Sequence, residues 1–264
     1  MSVRAPFKSG KKQIGLFNMF GPPKLVEIAA IEGFDFVIID SEHATSTREP
    51  VSHMILAAKA FEIAALVRVG RADELEILRA LDSGADGIVI SQVSTADAAG
   101  RAVNAAHYRP RGTRGMCPAI RAARYGDMAW HDHAAPSNER MLVICLIEDN
   151  EGLDNIDAIC AVDGVDVVWC GSGGLSQSLG LNHCGHEHPL MREAMTRIRD
   201  AVHKNGGLFV ATAGSRPTAE YVKELWDFGA PIVSLAPDLM LIRNAFADTL
   251  ARLRTAANLQ EARP

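Results

Sequence analysis

The sequence predicts a single-domain (β/α)8 barrel, the TIM-barrel class of α/β folds. Two observations predict it: eight short apolar runs rich in valine and isoleucine, and amphipathic stretches of helical period between them. The length of 264 residues suits one such barrel and is short for two ordinary domains. We therefore expect one domain over residues 1–264, with the barrel and its final helix in 14–253 and flexible ends at 1–12 and 254–264.

Each apolar run is short enough to be one buried strand, and such runs are typical of parallel sheets that helices cover on the outside. A doubly wound open sheet is the alternative, but no GxGxxG segment opens a helix after any of the runs. The eight predicted strands are Ile14–Met19, Phe36–Ser41, Ala65–Gly70, Gly87–Val93, Met141–Glu148, Val165–Gly171, Leu208–Gly214 and Ile232–Ala236.

Helical stretches follow several of the strands, and a glycine often separates a helix from the next strand, as Gly33, Gly84 and Gly229 do. One segment, Tyr108–Arg140, interrupts the alternation. It is long and rich in Arg, Pro and Gly, and we predict a functional loop that packs over another surface. The final apolar stripe could close the barrel or contact a neighbouring subunit. The predicted helices include Pro23–Glu32, Asp73–Asp82, Ala96–Ala106, Pro217–Phe228 and the final Asp238–Leu253.

Charge and composition exclude several classes of function. The net charge of −5 and the isoelectric point near 6.0 argue against a nucleic-acid footprint, although the arginines between positions 109 and 124 could bind a small anion. No apolar run approaches the roughly 20 residues that cross a bilayer, and Met1–Lys12 lacks the apolar core of a secretory signal. The cysteines show no CxxC pair, and Cys145 and Cys170 are expected to be buried thiols. We expect a cytoplasmic protein that binds neither nucleic acid nor membrane.

The chemistry is expected at the carboxyl-terminal ends of the strands, where TIM barrels carry their active sites. An arginine and main-chain amides can hold a carboxylate or an enolate oxygen, and a histidine can move protons near pH 7. Each residue also has a structural interpretation, as a helix cap, as half of an ion pair or as a tight strand–helix connection. Their coincidence on one rim favours a functional site. The residues are Asp40 and His43 at the end of strand two, Arg68 at the end of strand three, Glu148 at the end of strand five, and Gly171-Ser172-Gly173-Gly174 at the end of strand six.

Several segments together resemble the HpcH/HpaI family of pyruvate-dependent class II aldolases, typified by 4-hydroxy-2-oxoheptane-1,7-dioate aldolase. The resemblance runs from about Gly15 to Leu253. The Glu-His-Ala and Arg-Gly-x-Arg-Gly segments, in this order and spacing, form a fairly specific signature. The matching segments are GFDF at 33–36, IDSEHA at 39–44, VR at 67–68, YRPRGTRG at 108–115, IE at 147–148, GSGGLS at 171–176 and HP at 188–189.

The resemblance implies roles for individual residues. His43 matches the catalytic base of the family, and Arg68 matches the arginine that binds the 2-oxo acid and stabilises its enolate. Asp82 matches an aspartate that raises the basicity of the histidine, although our strand assignment places Asp82 near the opposite rim. Arg121 resembles a residue that meets the acceptor aldehyde. The family also implies symmetric oligomers, commonly hexamers, with the final helix exchanged between subunits.

The resemblance further implies a divalent metal, Mg2+ or Mn2+, held by two carboxylates. Glu148 matches one of them, and the turn at Gly173–Gly174 matches the backbone that receives the substrate carboxylate. Gly174 stands where the family has its second metal-binding aspartate, and Leu146 stands where the family usually has a glutamine. Three explanations stay open: weak metal binding through Glu148, water and substrate; a replacement ligand from the His183-Cys184-Gly185-His186 segment; or chemistry without metal.

These observations predict a carbon–carbon lyase that cleaves a 4-hydroxy-2-oxo acid to pyruvate, or a related 2-oxo acid, and an aldehyde. Two alternatives are a lyase or decarboxylase that needs little or no metal, acting for example on oxaloacetate, and a non-catalytic barrel that binds a carboxylate. The expected partners are the acid, the aldehyde and further copies of the chain, as a trimer or hexamer, in the catabolism of aromatic compounds. The predicted site comprises catalytic His43 and Arg68 with Asp40 or Asp82, substrate contacts from Arg68, Arg121 and Gly171–Gly174, and Glu148 as metal ligand.

Overall fold

Eight parallel strands form a closed barrel in the computed structural model, which describes residues 7, 9–44, 48–182 and 185–257. Each strand pairs with its neighbours in sequence, and the first pairs with the last to close the barrel. The predicted fold class is therefore confirmed. The strands are β1 Gln13–Asn18, β2 Phe36–Asp40, β3 Ala64–Val69, β4 Gly87–Ile90, β5 Leu142–Ile147, β6 Val167–Cys170, β7 Leu208–Thr212 and β8 Ile232–Pro237.

Helices connect the strands and cover the outside of the barrel. Their bounds follow local signals that the sequence carries. The Asp73 carboxylate accepts hydrogen bonds from two N–H groups of the first helical turn after it, and Gly229 ends another helix with a φ of 104°, a conformation that favours glycine. The helices are α1 Pro23–Ile31, α2 Arg48–Ala60, α3 Glu74–Asp82, α4 Ala96–Ala106, α5 Trp130–Arg140, α6 Asn150–Asp154, α7 Ile156–Cys160, α8 Ser172–Ser178, α9 Pro189–Lys204, α10 Ala219–Phe228 and α11 Asp238–Ala256, with a 3-10 helix at Arg121–Gly126.

The segment 108–140 contains more regular structure than we predicted. Its last third is α5, which carries no apolar stripe and contains Pro136, so the sequence pattern gave no sign of a helix. An aromatic cluster holds this segment together: the Tyr108 ring lies 4.9 Å from the Trp130 ring and 5.6 Å from the His133 ring. The segment also contacts the end of α3, where Arg114 forms an ion pair with Asp82 at 2.7 Å, and its last eleven residues are helix rather than loop.

Alternation along the strands sorts the apolar side chains into two layers. One parity, including Phe36, Ile38 and Leu66, fills the interior of the barrel, and the other, including Val37 and Ile39, packs outward against the helices. At the amino-terminal mouth, Phe7 packs on Phe36 with ring centroids 5.1 Å apart. Gly15 makes room for this pair, because a Cβ at position 15 would lie 2.1 Å from the Phe36 ring.

Two expectations drawn from the sequence, the lack of a membrane-spanning helix and the burial of two cysteine thiols, can be compared with the described residues. No helix among them is both long and apolar enough to cross a membrane. Cys145 and Cys170 are free and buried, and burial raises the pKa of each thiol to about 12. Their burial was predicted, and thiols with so high a pKa stay protonated and unreactive. The cytoplasmic location stays a prediction.

The final helix, α11, is anchored at its start and exposed along its length. The buried Asp238 carboxylate accepts hydrogen bonds from the N–H groups of Met19 (3.0 Å), Phe20 (3.2 Å) and its own neighbour Leu239 (2.8 Å), which ties α11 to the end of β1. Beyond this anchor, Phe246, Leu250 and Leu253 are 72%, 47% and 61% exposed. These three residues are spaced at intervals of four and three, so they share one face of the helix.

We predict that this apolar face of α11 contacts another copy of the chain. Phe246→Glu is expected to lower the oligomeric state, because the substitution places a charge in an apolar contact. Ala251→Glu is the matched control, since it adds the same charge on the opposite side of the same helix. Sedimentation velocity measures the mass of each variant, with circular dichroism as the check on folding. A monomeric wild-type protein, or an unchanged mass for Phe246→Glu, would contradict the prediction.

Candidate active site

The inward parity of the strands decides which residues reach the carboxyl-terminal rim of the barrel. In β2 the inward residues Phe36 and Ile38 lead to Asp40, and in β3 the inward Leu66 leads to Arg68. Every second residue also points inward along β4, β5 and β6, and the next inward position after each of these strands is a polar residue or a glycine. These residues are Ser91 after β4, Glu148 after β5 and Gly171 after β6.

Asp40 and Arg68 form a buried ion pair between β2 and β3. They are direct partners in the strand register, and Arg68 Nε and Nη2 donate to Asp40 Oδ1 and Oδ2 at 2.8 and 2.7 Å. The Asp40 carboxylate also accepts the main-chain N–H groups of Glu42 (2.9 Å) and His43 (3.3 Å). Asp40 therefore orients Arg68 and the backbone of His43, and it does not contact the His43 ring.

Glu42 was not among the residues that we predicted for the site, and neither was its partner Ser91. Its Oε2 accepts a hydrogen bond from the Ser91 hydroxyl at 2.6 Å and lies 3.4 Å from Arg68 Nη1. The same oxygen lies 3.9 Å from His43 Nε2. Glu42 is thus the carboxylate beside the histidine ring. The inward parity of Ser91 at the end of β4 was the signal that could have drawn attention to this pair.

His43 is exposed and Arg68 is buried, which suits them to different tasks. The side chain of His43 is 64% exposed, whereas that of Arg68 is 9% exposed and its Cζ lies 4.6 Å from the centroid of the Phe17 ring. The contacts with Asp40 and Glu42 use three of the five N–H groups of the guanidinium. Arg68 also lines the cavity, so its other N–H groups can bind an anion there while the side chain stays fixed in place.

Glu148 extends the rim beyond β5. Its Oε1 accepts the main-chain N–H of Gln92 at 2.8 Å, and Gln92 has a φ of 53°, a left-handed conformation uncommon for a residue with a side chain. Burial raises the pKa of the Glu148 carboxyl above its ordinary value. The Gln92 hydrogen bond and Arg68 oppose this shift, and the charges of Glu42 and Asp149 add to it. Glu148 does not pair with an arginine of the 109–124 cluster.

The glycine turn after β6 offers fewer amides than its sequence suggested. The N–H of Gly171 donates to the carbonyl of Ile147 at 2.8 Å, so it is committed to the barrel. The N–H groups of Ser172, Gly173 and Gly174 open α8 and have no acceptor within that helix. Gly171 therefore lines the cavity with its N–H already engaged, whereas the N–H groups of the other three residues can serve as donors; the substrate contacts expected of this turn stay predictions.

Most of the predicted residues surround one cavity of about 700 Å3 at the carboxyl-terminal ends of the strands. His43, Arg68, Glu148 and the glycine turn at 171–174 all line it. Apolar side chains complete the walls, among them Phe17, Leu146, Trp169 and Met240. The volume lies within the usual range for pockets that bind small molecules.

Asp82 and Arg121 do not reach this cavity within one chain. Asp82 ends α3 and accepts a hydrogen bond from Arg114 Nη2 at 2.7 Å. Arg121 lines a second cavity, of about 290 Å3, beside the starts of β4 and β5. Both residues thus lie at the amino-terminal end of the barrel. Their expected roles at the histidine and the aldehyde would need a neighbouring subunit, and they stay predictions.

The segment proposed as a source of replacement metal ligands is only partly described. His183 and Cys184 lie outside the described residues. His186 lines the main cavity, and its Nε2 lies 3.0 Å from Glu224 Oε1 while its ring stacks on Tyr221 with centroids 4.6 Å apart. These contacts hold His186 in the wall of the cavity.

The described residues do not form the two-carboxylate metal site that the resemblance implies. Glu148 supplies a carboxylate, but Gly174 and Leu146 present no side-chain oxygen. No group of three or more His, Cys, Asp or Glu side chains suited to a metal ion occurs in the described ranges. Mg2+ and Mn2+ prefer several oxygen ligands, so these residues by themselves do not account for tight binding of either ion. The expected metal stays a prediction.

A TIM barrel with an imidazole, a guanidinium and main-chain amides around one cavity is arranged as in enzymes that stabilise a carboxylate and an enolate. Comparison with known proteins supports this class. The model of the HpcH/HpaI aldolase/citrate lyase family matches residues 13–245. The chain belongs to this family and is a lyase.

Individual relatives agree with the family match over nearly the whole chain. The 2-keto-3-deoxy-L-rhamnonate aldolase of Shigella dysenteriae serotype 1 (strain Sd197) is 32% identical over 261 residues, covering 96% of this chain and 94% of that protein. An HpcH/HpaI aldolase from Desulfitobacterium hafniense DCB-2 has a similar structure, with a TM-score of 0.89, 27% identity and 100% of both chains covered. The citrate synthase SbnG is similar as well, with a TM-score of 0.87, 29% identity, and 97% of this chain and 99% of that one covered.

We predict that Arg68→Lys destabilises the protein by about 1–3 kcal/mol, because a lysine cannot reproduce the paired hydrogen bonds to the buried Asp40. The matched control is Arg101→Lys, which alters an exposed pair with Asp97 on α4 and should change stability by less than about 0.5 kcal/mol. Urea denaturation measures both variants. Equal stabilities would show that the Asp40 pair contributes little to folding.

A second prediction concerns pH and His133 in the amino-terminal cavity. Burial lowers the pKa of His133, and the nearby charges of Arg114 and Arg140 lower it further. The unfolded chain therefore takes up a proton at this residue before the folded chain does, as pH falls below about 6.5. The wild-type protein should lose stability in that window, by at most about 1.4 kcal/mol per pH unit from this residue.

The His133→Gln variant should lack this component of the pH dependence. His131→Gln is the control, because His131 is exposed on the same helix. Urea denaturation at pH 8, 6.5 and 5.5 gives the comparison. If wild type and His133→Gln lose stability in parallel as pH falls, the assignment to His133 is incorrect.

Proposed function

We propose that the chain cleaves the C3–C4 bond of a 4-hydroxy-2-oxo acid, giving pyruvate or a related 2-oxo acid and an aldehyde. The observation that carries the proposal is the placement of His43, Arg68 and the amides of 172–174 around one cavity. Each supplies a function that this reaction needs: a proton carrier, a cation for the enolate and donors for the carboxylate.

Substrate binding rests on groups that are already fixed. In the proposed complex, the N–H groups of Ser172, Gly173 and Gly174 receive the substrate carboxylate. Arg68 directs its remaining N–H groups at the C2 oxygen, and the Asp40 pair keeps the guanidinium in place while charge develops there. Because Arg68 is oriented before the substrate arrives, little reorganisation accompanies the reaction.

His43 handles the proton. In the cleavage direction it removes the proton of the C4 hydroxyl, and the resulting C4 carbonyl forms as the C3–C4 bond breaks. The electron pair of that bond forms the C2–C3 double bond, and the C2 carbonyl becomes an enolate oxygen beside Arg68. His43 then returns its proton to C3, which gives the 2-oxo acid. In the reverse direction the same site joins the acid to an aldehyde.

Glu42 supports this proton transfer within the chain. Its oxygen lies beside His43 Nε2, so it stabilises the imidazolium that forms when the ring accepts a proton. Ser91 and Arg68 hold the same carboxylate in place. We therefore assign to Glu42 the carboxylate role that the sequence had led us to expect of Asp40 or Asp82.

Membership of a lyase family sets aside the non-catalytic alternative. No step above passes through a metal ion, since the described side chains beside Glu148 do not complete a site for one. The amount and identity of any metal are measured separately from the proton chemistry in the experiments below. The aldehyde and the metabolic setting, including the catabolism of aromatic compounds, stay predictions.

Exchange of the pyruvate methyl protons with D2O tests the proposal without knowledge of the aldehyde. The wild-type protein should catalyse exchange, followed by NMR, because enolate formation and reprotonation at C3 need only the 2-oxo acid. His43→Ala should slow exchange at least about a hundredfold, the usual contribution of a general base. It should fold with near wild-type stability, because the side chain is exposed.

The control for this prediction is His53→Ala, which removes an exposed histidine of α2. Exchange is measured in chelator and in added Mg2+ or Mn2+, and formation of pyruvate from 4-hydroxy-2-oxo acids is followed in parallel. If the wild-type protein exchanges no protons and releases no pyruvate under any of these conditions, the proposed function is incorrect. Unchanged exchange in His43→Ala would remove His43 from the mechanism.

A further inference from the structure

The side chains around the rim of the cavity form a polar network along β2, β3 and β4 and are mostly apolar or absent along β5 and β6. On β2, β3 and β4 the inward residues at the rim are Asp40, Arg68 and Ser91, which are joined through the Glu42 carboxylate and the Asp40 pair. On β5 and β6 the corresponding wall consists of a leucine and glycines around a single carboxylate. Glu148 is the inward rim residue after β5, and one step below it Leu146 presents an apolar side chain to the same cavity, beside the glycines of 171–174.

Leu146 and the glycines form one continuous wall. Leu146 is 4% exposed and belongs to the inner apolar layer, with Trp169 of the adjacent strand. A Cβ at Gly171 would lie 3.2 Å from Leu146 Cδ1 and 2.8 Å from Glu148 Cβ, so Gly171 leaves the space that the leucine and glutamate occupy. A Cβ at Gly174 would lie 3.0 Å from both Glu148 Cβ and Glu148 O.

Gly174 therefore lies against Glu148, and Leu146 lies near it across the space that Gly171 leaves. Neither Leu146 nor Gly174 brings an oxygen-bearing side chain to this carboxylate. Glu148 Oε1 is already engaged by the Gln92 N–H, and the other oxygen faces the glycine backbone. Hard divalent cations need several oxygen ligands, which this wall does not offer. Such a wall suits a hydrocarbon group better than an ion, because burial of apolar surface stabilises the complex.

We propose that the wall formed by Leu146, Gly171 and Gly174 is an apolar subsite for the substrate, in place of the metal half of the family site. It takes a 2-oxo acid whose C3 carries an apolar substituent larger than a hydrogen. The cavity of about 700 Å3 has room for such a group, and the apolar side chains of Trp169 and Phe17, whose ring centroids lie 5.8 Å apart, also line it. The proposal rests on the proposed function, because it names the substrate class for that same cavity.

Binding measurements test this subsite without turnover. Isothermal titration compares pyruvate with phenylpyruvate, a 2-oxo acid with an apolar C3 substituent, and titrates Mn2+ alone. We expect the wild-type protein to bind phenylpyruvate at least about tenfold more tightly than pyruvate. Leu146→Gln should abolish that preference while pyruvate binding stays within about twofold. Met240→Gln, which alters an apolar residue on the other side of the cavity, should keep the preference.

The metal arm of the test uses the double variant Leu146→Gln/Gly174→Asp. It should bind Mn2+ at least about tenfold more tightly than wild type, since it adds two oxygen-bearing side chains beside Glu148. The backbone at Gly174 is not left-handed, so the aspartate is not strained by its φ, but its Cβ would lie 3.0 Å from the Cβ and the carbonyl oxygen of Glu148, which would have to move apart. If the double variant does not fold, Leu146→Gln alone decides the ligand preference and wild-type Mn2+ binding decides the metal question.

Two results would overturn the subsite: wild-type protein that binds pyruvate as tightly as phenylpyruvate, or wild-type protein that binds Mn2+ alone at micromolar concentrations. The second result would point to ligands outside the described residues, such as His183 and Cys184. Failure of the proposed function is a separate outcome, because it is decided by proton exchange and not by binding. An apolar preference without exchange would leave the subsite standing and the mechanism refuted.

Discussion

The buried pair of Asp40 and Arg68 is the interaction on which the rest of the site depends. Each buried ion loses several kcal/mol of hydration, so neither is stable in the barrel without a complete set of partners. Asp40 obtains four hydrogen bonds, two from Arg68 and two from the main chain of Glu42 and His43. The pair therefore fixes the guanidinium, the backbone of the histidine and, through Arg68, the position of the Glu42 carboxylate.

Much of the architecture could be predicted because one physical rule governs it. Strands of a closed barrel turn every second side chain inward, so apolar runs of the right length predicted the fold, and the residues at their ends met at one rim. His43, Arg68 and Glu148 were found in this way. Ser91 followed the same rule, but the predicted fourth strand ran on to Val93 and hid its position at the rim. Glu42 was visible in the motif, yet its contacts depend on the turn after β2 and not on periodicity.

Other features could not be predicted, for reasons that differ from residue to residue. The helix α5 could not be predicted from periodicity, because a cluster of aromatic side chains packs it in place and it has no apolar stripe of helical spacing. The amide of Gly171 is used by Ile147, which only the pairing of β5 with β6 reveals. Asp82 and Arg121 lie at the far end of the barrel, and what they meet depends on the arrangement of several chains. Sequence patterns report local periodicity well, and they report contacts between distant segments poorly.

The separation of the rim into a polar network on β2 to β4 and an apolar wall on β5 and β6 has a consequence for how such enzymes diverge. Substitutions that share no partners add nearly independently in free energy, whereas substitutions inside one network do not. Residues 146 and 174 neighbour Glu148 and not the Asp40–Arg68 pair, so a lineage can exchange the two together and explore new acids while the residues that carry the proton and the negative charge are inherited intact. Duplicated copies of such a gene would be expected to differ first along β5 and β6.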